Sequence, residues 1–300
     1  MKIWYDRSKL NLSEFKSEKF LFLPLYKADI INLDRDFKDN NWLESIKKTI
    51  SYSSLEDADY IVYHDKYNSD IIPFIYELQN HNHKPILAFF NDDDDTPIND
   101  SLPKNVYVLR TSINKSKQKR NEFSMPAWSA DFNVAPIKKL SVKPTVSFCG
   151  ALTHSVRSQC LENLQNNTNI KTNFIIRNSF WGGNPHNATL RREYIENIKN
   201  SDVVLCCRGA GNFSYRLYEV LSCGRIPVII DTDILLPCDN VIDWNKFIIT
   251  TPENINYDIE SWWNNITEEQ YKEVQLYSRF IYENYLNPAG FAKYISTLNI

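Results

Sequence analysis

The chain has 300 residues, 43% of them hydrophobic and 24% charged, enough apolar material for one large core or two medium ones. Its 34 basic and 37 acidic residues leave a net charge of −3, which gives no basic footprint for nucleic acid or an anionic membrane surface. No run approaches the roughly 18 apolar residues that a bilayer-crossing helix needs, and the cysteines lack zinc-ligand spacing.

The opening stretch, MKIWYDRSKL, carries Lys2, Asp6 and Arg7 and no apolar core, so no signal peptide is expected. All six cysteines lie in the second half. Cys149, Cys206 and Cys207 fall in apolar runs, where a thiol acts as a small hydrophobe. Reduced thiols and a cytoplasmic, soluble protein are the expectation.

In chain order, Lys2–Tyr5 and Phe20–Leu25 read as strands and Asn40–Ile50 as an amphipathic helix. Tyr60–His64 is a strand, Ile71–Gln79 a helix, and Pro85–Phe90 and Val106–Arg110 are strands. Strands alternating with helices predict right-handed βαβ units and a parallel sheet. The run Asp92-Asp93-Asp94-Asp95 follows a strand directly, at a loop where such sheets place ligands. Three readings stand there: oxygen ligands for a divalent ion, a general base, or a solvated acidic turn. Mutual repulsion of the four carboxylates favours raised pKa values. His64, at another strand end, is the second candidate base, against the plainer reading of a satisfied strand-end histidine. The basic run KSKQKR after Asn114 reads as a solvated loop, or as a hold for an acidic acceptor. Asp131–Val142 reads as a linker, with the domain boundary at residues 138/139.

In the second half, Val146–Gly150 is a strand, Leu152–Asn166 a helix carrying Arg157, and Phe174–Arg177 a strand. The loop Ser179–Gly183 holds Trp181, able to stack on a base or sugar or to serve as a packing anchor. Ala188–Asn200 is a helix. The densest signal follows, SDVVLCCRGAGNFSYRLYEVLSCGRIPVIID over 201–231. It reads as a buried strand, a glycine-bearing loop with Arg208, Gly209 and Gly211, a helix stopped at Gly224, and the strand Ile226–Ile230. Asn212, Tyr215, Arg216 and Glu219 recur at three- and four-residue spacing and predict one polar face near the helix start. Free N–H groups there suit a phosphate, Arg208 and Arg216 can grip its oxygens, and Glu219 can accept from ribose hydroxyls. The bland alternative is an exposed i,i+3 pair of Arg216 with Glu219. Residue types by themselves stop at an anion site.

The run RGAGNFSYRLYEVLSCGRIPVII resembles the signature of exostosin-type glycosyltransferases: an Arg-Gly pair, Ser-x-Arg-Leu-Tyr-Glu, a small-residue turn and Ile-Pro-Val-Ile. The approach from Tyr194 to Ser201, and the later Leu236-Pro237, Ile242-Asp243-Trp244 and Phe247, fit the same pattern. That resemblance spans residues 143–288 and implies an α/β fold of the GT-B type, with two Rossmann-like domains facing across a cleft. These would be an acceptor-side domain over 1–138 and a nucleotide-sugar domain over 139–300, whose final helices return to the first. It implies transfer of a sugar from a nucleotide-diphosphate donor, a UDP-sugar, to a glycan hydroxyl, with inversion and without a metal or other cofactor. Arg208, Gly209, Gly211, Ser214, Arg216, Glu219, Arg157 and Trp181 would bind the donor, and Asp92, Asp93, Asp94, Asp95 or His64 would supply the base. Alternatives are a retaining transferase of the same fold and an inactive subunit that binds nucleotide sugar or glycan.

Overall fold

In a computed structural model, the structure describes residues 2–4, 51–52, 60–64, 85–90, 102–127, 129–184 and 186–298. The chain divides into two compact units, Met1–Trp128 with Ile234–Cys238 and Asn284–Ile300, and Ser129–Asp233 with Asp239–Glu283.

The first unit is built on a parallel sheet of β1 (Lys2–Trp4), β2 (Ser51–Tyr52), β3 (Tyr60–His64), β4 (Ile86–Phe90), β5 (Val106–Arg110) and β6 (Glu122–Ser124). Their order is β2-β1-β3-β4-β5-β6. Parallel neighbours need crossover connections, which is what the alternating sequence pattern implied. Ile86, Leu87, Ala88 and Val106 are completely buried, as a strand covered on both faces requires. The expected elements Phe20–Leu25, Asn40–Ile50 and Ile71–Gln79 and the run Asp92–Asp95 lie outside the described residues. β6 was not foreseen, because its centre of attraction is polar. Buried Glu122 accepts from the Lys119 backbone N–H at 2.9 Å and faces the Arg110 guanidinium at 3.4 Å. In the basic run, Lys115–Lys117 form a 3-10 turn, and Lys115, Lys117 and Arg120 are exposed.

The second unit carries β7 (Thr145–Ala151), β8 (Lys171–Arg177), β9 (Val203–Cys206), β10 (Ile226–Ile230) and β11 (Ile248–Thr250), all parallel in the order β11-β10-β9-β7-β8. Its helices are α1 (Ser155–Gln165), α2 (Ala188–Asn200), α3 (Tyr215–Ser222), α4 (Ile255–Asn265) and α5 (Glu268–Ile281). A π-helical turn, Tyr282–Leu286, and α6 (Pro288–Thr297) follow, α6 within the first unit. This strand order is that of a doubly wound sheet in which the winding reverses between β7 and β9, the place where such sheets open a crevice at their carboxyl ends.

α3 is short and nearly all buried, with Leu217, Val220 and Leu221 on its apolar side. It stops where expected. Gly224 takes φ +66°, its N–H reaches the Leu221 carbonyl at 3.0 Å, and the Arg225 N–H reaches that of Val220 at 3.0 Å, a Schellman ending. α4 went unread in the sequence, although Ile255, Ile259 and Trp263 recur every four residues and are buried.

The stretch read as a linker belongs to the second unit from Ser129 onward. It is extended, and its polar backbone finds partners there. Phe132 N–H donates to Ser222 Oγ at 3.1 Å, Ala135 N–H to the Cys223 carbonyl at 3.0 Å and Lys138 N–H to Gln275 Oε1 at 2.9 Å. Arg279 holds the Asp131 carboxylate through two N–H groups, at 2.7 and 2.9 Å.

Candidate functional site

A pocket of about 260 Å³ opens at the carboxyl ends of β7 and β9, at the reversal point of the second sheet. Gly150 and Ala151 from the end of β7, Gly209–Gly211 from the loop after β9, and the start of α3 line it. α1 and α2 contribute Arg157, Arg191 and Tyr194.

Two buried arginines dominate it chemically. Arg216 donates to the Cys149 carbonyl at 2.6 Å and the Leu205 carbonyl at 3.3 Å, tying the ends of β7 and β9 together. Its guanidinium carbon lies 4.4 Å from the Phe148 ring centre, and its Nε–H is buried without a hydrogen-bond partner. Arg157 donates from Nε to the Arg208 carbonyl at 2.8 Å and from Nη1 to the Ala151 carbonyl at 2.7 Å. Neither guanidinium has a carboxylate among these partners. Both are more than nine-tenths buried, at 7% exposure each. Burial, with the neighbouring charge of Arg216, pulls the Arg157 guanidinium down to about 10. Burial acts against the charge on Arg216 too, but neighbouring groups, Glu219 among them, raise its guanidinium overall. Arg157, Arg191 and Arg216 thus share the pocket with one carboxylate, Glu219, an excess of cationic charge that an anion relieves.

Close approach here depends on glycine. A Cβ on Gly150 would sit 2.8 Å from Arg216 Nη2; one on Gly209 would meet Arg157 Nη2 at 3.4 Å, an ordinary contact, so the requirement falls on Gly150. Ser214 precedes α3 in the N-cap position, yet its hydroxyl makes no capping bond. Ser214 lines the pocket at the helix start, with that hydroxyl not engaged in capping.

Glu219 is 4% exposed and lines the same pocket. One carboxylate oxygen accepts from the Tyr194 hydroxyl, and the other lies 3.5 Å from Arg191 Nη1. Burial, then the Glu219 charge, push the Tyr194 phenol well above its usual range, so it stays a donor. Arg191 is itself stacked 4.5 Å over the Phe132 ring, whose edge meets Tyr194.

The structure thus gathers Arg157, Gly209, Gly211, Ser214, Arg216 and Glu219 around one pocket. The exposed ion pair of Arg216 with Glu219 is excluded, since both are buried and bonded to other groups. Arg157 is likewise buried and bonded to main-chain carbonyls, so it does not sit on the open surface of its helix. Arg208 is placed elsewhere: its guanidinium folds back on its own loop, donating to the Ala210 carbonyl at 3.0 Å, and is not among the lining residues. Asn212 departs from the expected polar face because it precedes α3, and it is fully buried, donating to the Thr232 carbonyl at 2.8 Å. The Trp181 backbone lies in the 3-10 turn Phe180–Gly183, beside lining residues Phe180 and Gly182. Its side chain, like that of His64 at the end of β3, lies outside what is described. Arg191 and Phe132 went unread. Their roles come from contacts between α2 and the extended stretch, which no local pattern encodes.

The model for the Exostosin GT47 domain matches residues 73–263, more than half of the chain. The chain belongs to the exostosin GT47 family. Curated members align over a shorter stretch. The Exostosin-1 homolog of Caenorhabditis elegans is 33% identical over 96 residues, covering 32% of this chain and 25% of that protein. Exostosin-2 of Mus musculus is 30% identical over 93 residues, covering 31% of this chain and 13% of that protein. This exostosin-family chain therefore matches a quarter or less of the length of these relatives. Among solved structures, Anabaena HepE in complex with UDP and glucose gives a TM-score of 0.44 at 12% identity over 99% of both chains. TarM of S. aureus gives 0.43 at 13% identity, over 80% of this chain and 55% of that one. At such values the assignment rests on the family model. Among the described residues, no helix is long and apolar enough to cross a membrane.

Proposed function

We propose that this exostosin-family chain is a glycosyltransferase whose second unit binds a nucleotide-diphosphate sugar, a UDP-sugar, in the pocket at the ends of β7 and β9. The observation that carries this reading is the pair Arg157 and Arg216, both buried at a doubly wound reversal point and lacking a carboxylate partner. The diphosphate supplies negative charge beyond that of Glu219, the one carboxylate among the lining residues. The α3 start with Ser214 and the approach of backbone at Gly209 add donors. Glu219, held from behind by Tyr194 and Arg191, keeps lone pairs for the ribose hydroxyls.

In the transfer step the bond from the sugar's anomeric carbon to the diphosphate oxygen breaks, and its electron pair leaves with the diphosphate. The acceptor hydroxyl oxygen forms the new bond and passes its proton to a base, assigned to one of Asp92–Asp95 or to His64. The outcome is inversion. Charge growing on the leaving group meets Arg157 and Arg216, already oriented by their carbonyl bonds, so stabilisation costs no reorganisation and asks for no divalent ion. Arg208 enters this scheme only by leaving the Ala210 carbonyl.

Calorimetric titration with UDP, GDP and CMP, with and without EDTA, tests the site. UDP is expected to bind, EDTA to change nothing, and Arg157→Ala to weaken binding by about 10- to 100-fold, the worth of a charge-assisted bond. Absence of binding by every nucleotide would sink the proposal. Proton NMR of the product's anomeric centre, with the family of Asp92→Asn through Asp95→Asn variants and His64→Gln, tests the stereochemistry and the base.

A further inference from the structure

We infer that the second unit carries a separate saccharide-binding groove, remote from the nucleotide pocket. A depression of about 420 Å³ lies between the 3-10 turn Trp244–Lys246, the end of α4 and the beginning of α5. Its position follows from the topology. The turn enters β11, so it stands at the amino ends of the parallel strands, and α4 runs back toward the same end. The nucleotide pocket stands at the carboxyl ends. A ligand here touches no reacting atom.

The lining selects the ligand. Trp262, half-buried, presents an indole whose N–H makes no hydrogen bond among the described residues. Around it, the Asn245 amide, the Ser261 hydroxyl and the Glu273 carboxylate likewise have no hydrogen bond or ion-pair partner among the described residues. Asn265 spends only its amide N–H, on the Ser261 carbonyl at 2.7 Å, and keeps its oxygen. Gln270 spends its oxygen on the Thr267 N–H at 2.9 Å, within the α5 capping box, and keeps its amide N–H groups. The floor is rigid. Tyr277 is stacked on Phe247 at 5.9 Å, accepts from the Asp243 N–H at 2.9 Å and carries Lys246 Nζ 5.3 Å over its ring.

An aromatic ring ringed by paired donors and acceptors matches a pyranose, which offers an apolar C–H face and equatorial hydroxyls that both give and take hydrogen bonds. A phosphate is disfavoured: the lining carries one ammonium, Lys246, against one carboxylate, Glu273, and the first turn of α5 adds Glu268 and Glu269. The groove therefore takes a neutral sugar unit of an oligosaccharide. Its chemistry does not depend on the transferase reading.

Saturation-transfer NMR and tryptophan fluorescence with tetrasaccharides of β-linked glucose, xylose and N-acetylglucosamine, with and without saturating UDP, test this groove. Binding of at least one tetrasaccharide, unaffected by UDP and weakened about tenfold in Trp262→Ala, is expected, the loss of one stacking contact. The exposed-site variants Asn245→Ala and Glu273→Ala, which leave the packing intact, should weaken it as well. No binding by any of the three, competition by UDP, or binding indifferent to all three substitutions overturns the inference.

Discussion

Arg157 and Arg216 show how one residue type can tie strand ends together and still face a pocket. Each guanidinium spends part of its fork on main-chain carbonyls and holds the rest at the pocket, so its direction is set before any ligand arrives. Gly150 is the weak point of this arrangement. Gly150→Ala drives a methyl against Arg216 Nη2, at a cost of about 1–3 kcal/mol of stability from overpacking. It should also lower UDP affinity by about tenfold through a displaced charge-assisted donor. Urea unfolding and calorimetry on the same variant check both, and an unchanged affinity would show that Arg216 is purely structural. Tyr194→Phe removes the hydroxyl that Glu219 accepts, leaving a buried carboxylate oxygen short of a partner at about 1–3 kcal/mol. The same denaturation measurement reads it, and restoration of stability in the double variant with Glu219→Gln would confirm the pairing.

At the scale of elements, termini matter most. α3 has an open start and a closed end: Ser214 leaves its first turn uncapped, whereas Gly224 satisfies the last carbonyls through its left-handed backbone. Gly224→Ala should cost about 1–2 kcal/mol for that conformation. The Cβ would also crowd the Gln275 carbonyl at 3.2 Å. α5 is the reverse case, closed at its start by the reciprocal bonds of Thr267 and Gln270. Thr267→Ala is expected to cost about 1 kcal/mol, and a loss comparable to that of Gly224→Ala would mean the cap does more than satisfy the helix start. Chemical denaturation midpoints compare the two directly.

Across the whole molecule, all six cysteines are free and buried. Ellman's reagent should therefore modify none in the native protein and all six after guanidinium unfolding. Burial pushes the Cys206 thiol up, and Cys223 up to about 12. Raised folded-state values mean that the stability these thiols contribute is complete below the unfolded thiol's pKa, about 8.5, and is lost as pH rises from there through about 12. Unfolding free energy measured across that range should fall, and Cys223→Ala should flatten part of the slope.

What the sequence determined by itself was local and periodic. The strand Val106–Arg110, the helix Ala188–Asn200 and the succession β9, α3, Gly224, β10 follow from apolar period and glycine stops, and those need no partner. Arg216 and Glu219 stood out as candidates because the motif places arginine and glutamate beside a glycine loop, and Arg157 through the family resemblance; the structure puts all three around one pocket. Tertiary structure decided what each side chain faces. It turned Arg208 back onto its own loop, drew Asn212 away to Thr232, and joined residues 129–138 to the second unit through partners such as Ser222, Gln275 and Arg279. It also set Arg191 between Phe132 and Glu219. Apart from the local bond of Arg208, these are contacts across 20 residues or more, and a hydrogen bond of that span leaves no period in the chain. Local pattern fixes which face of an element is apolar; only packing determines which polar group on the other face is left with an open valence.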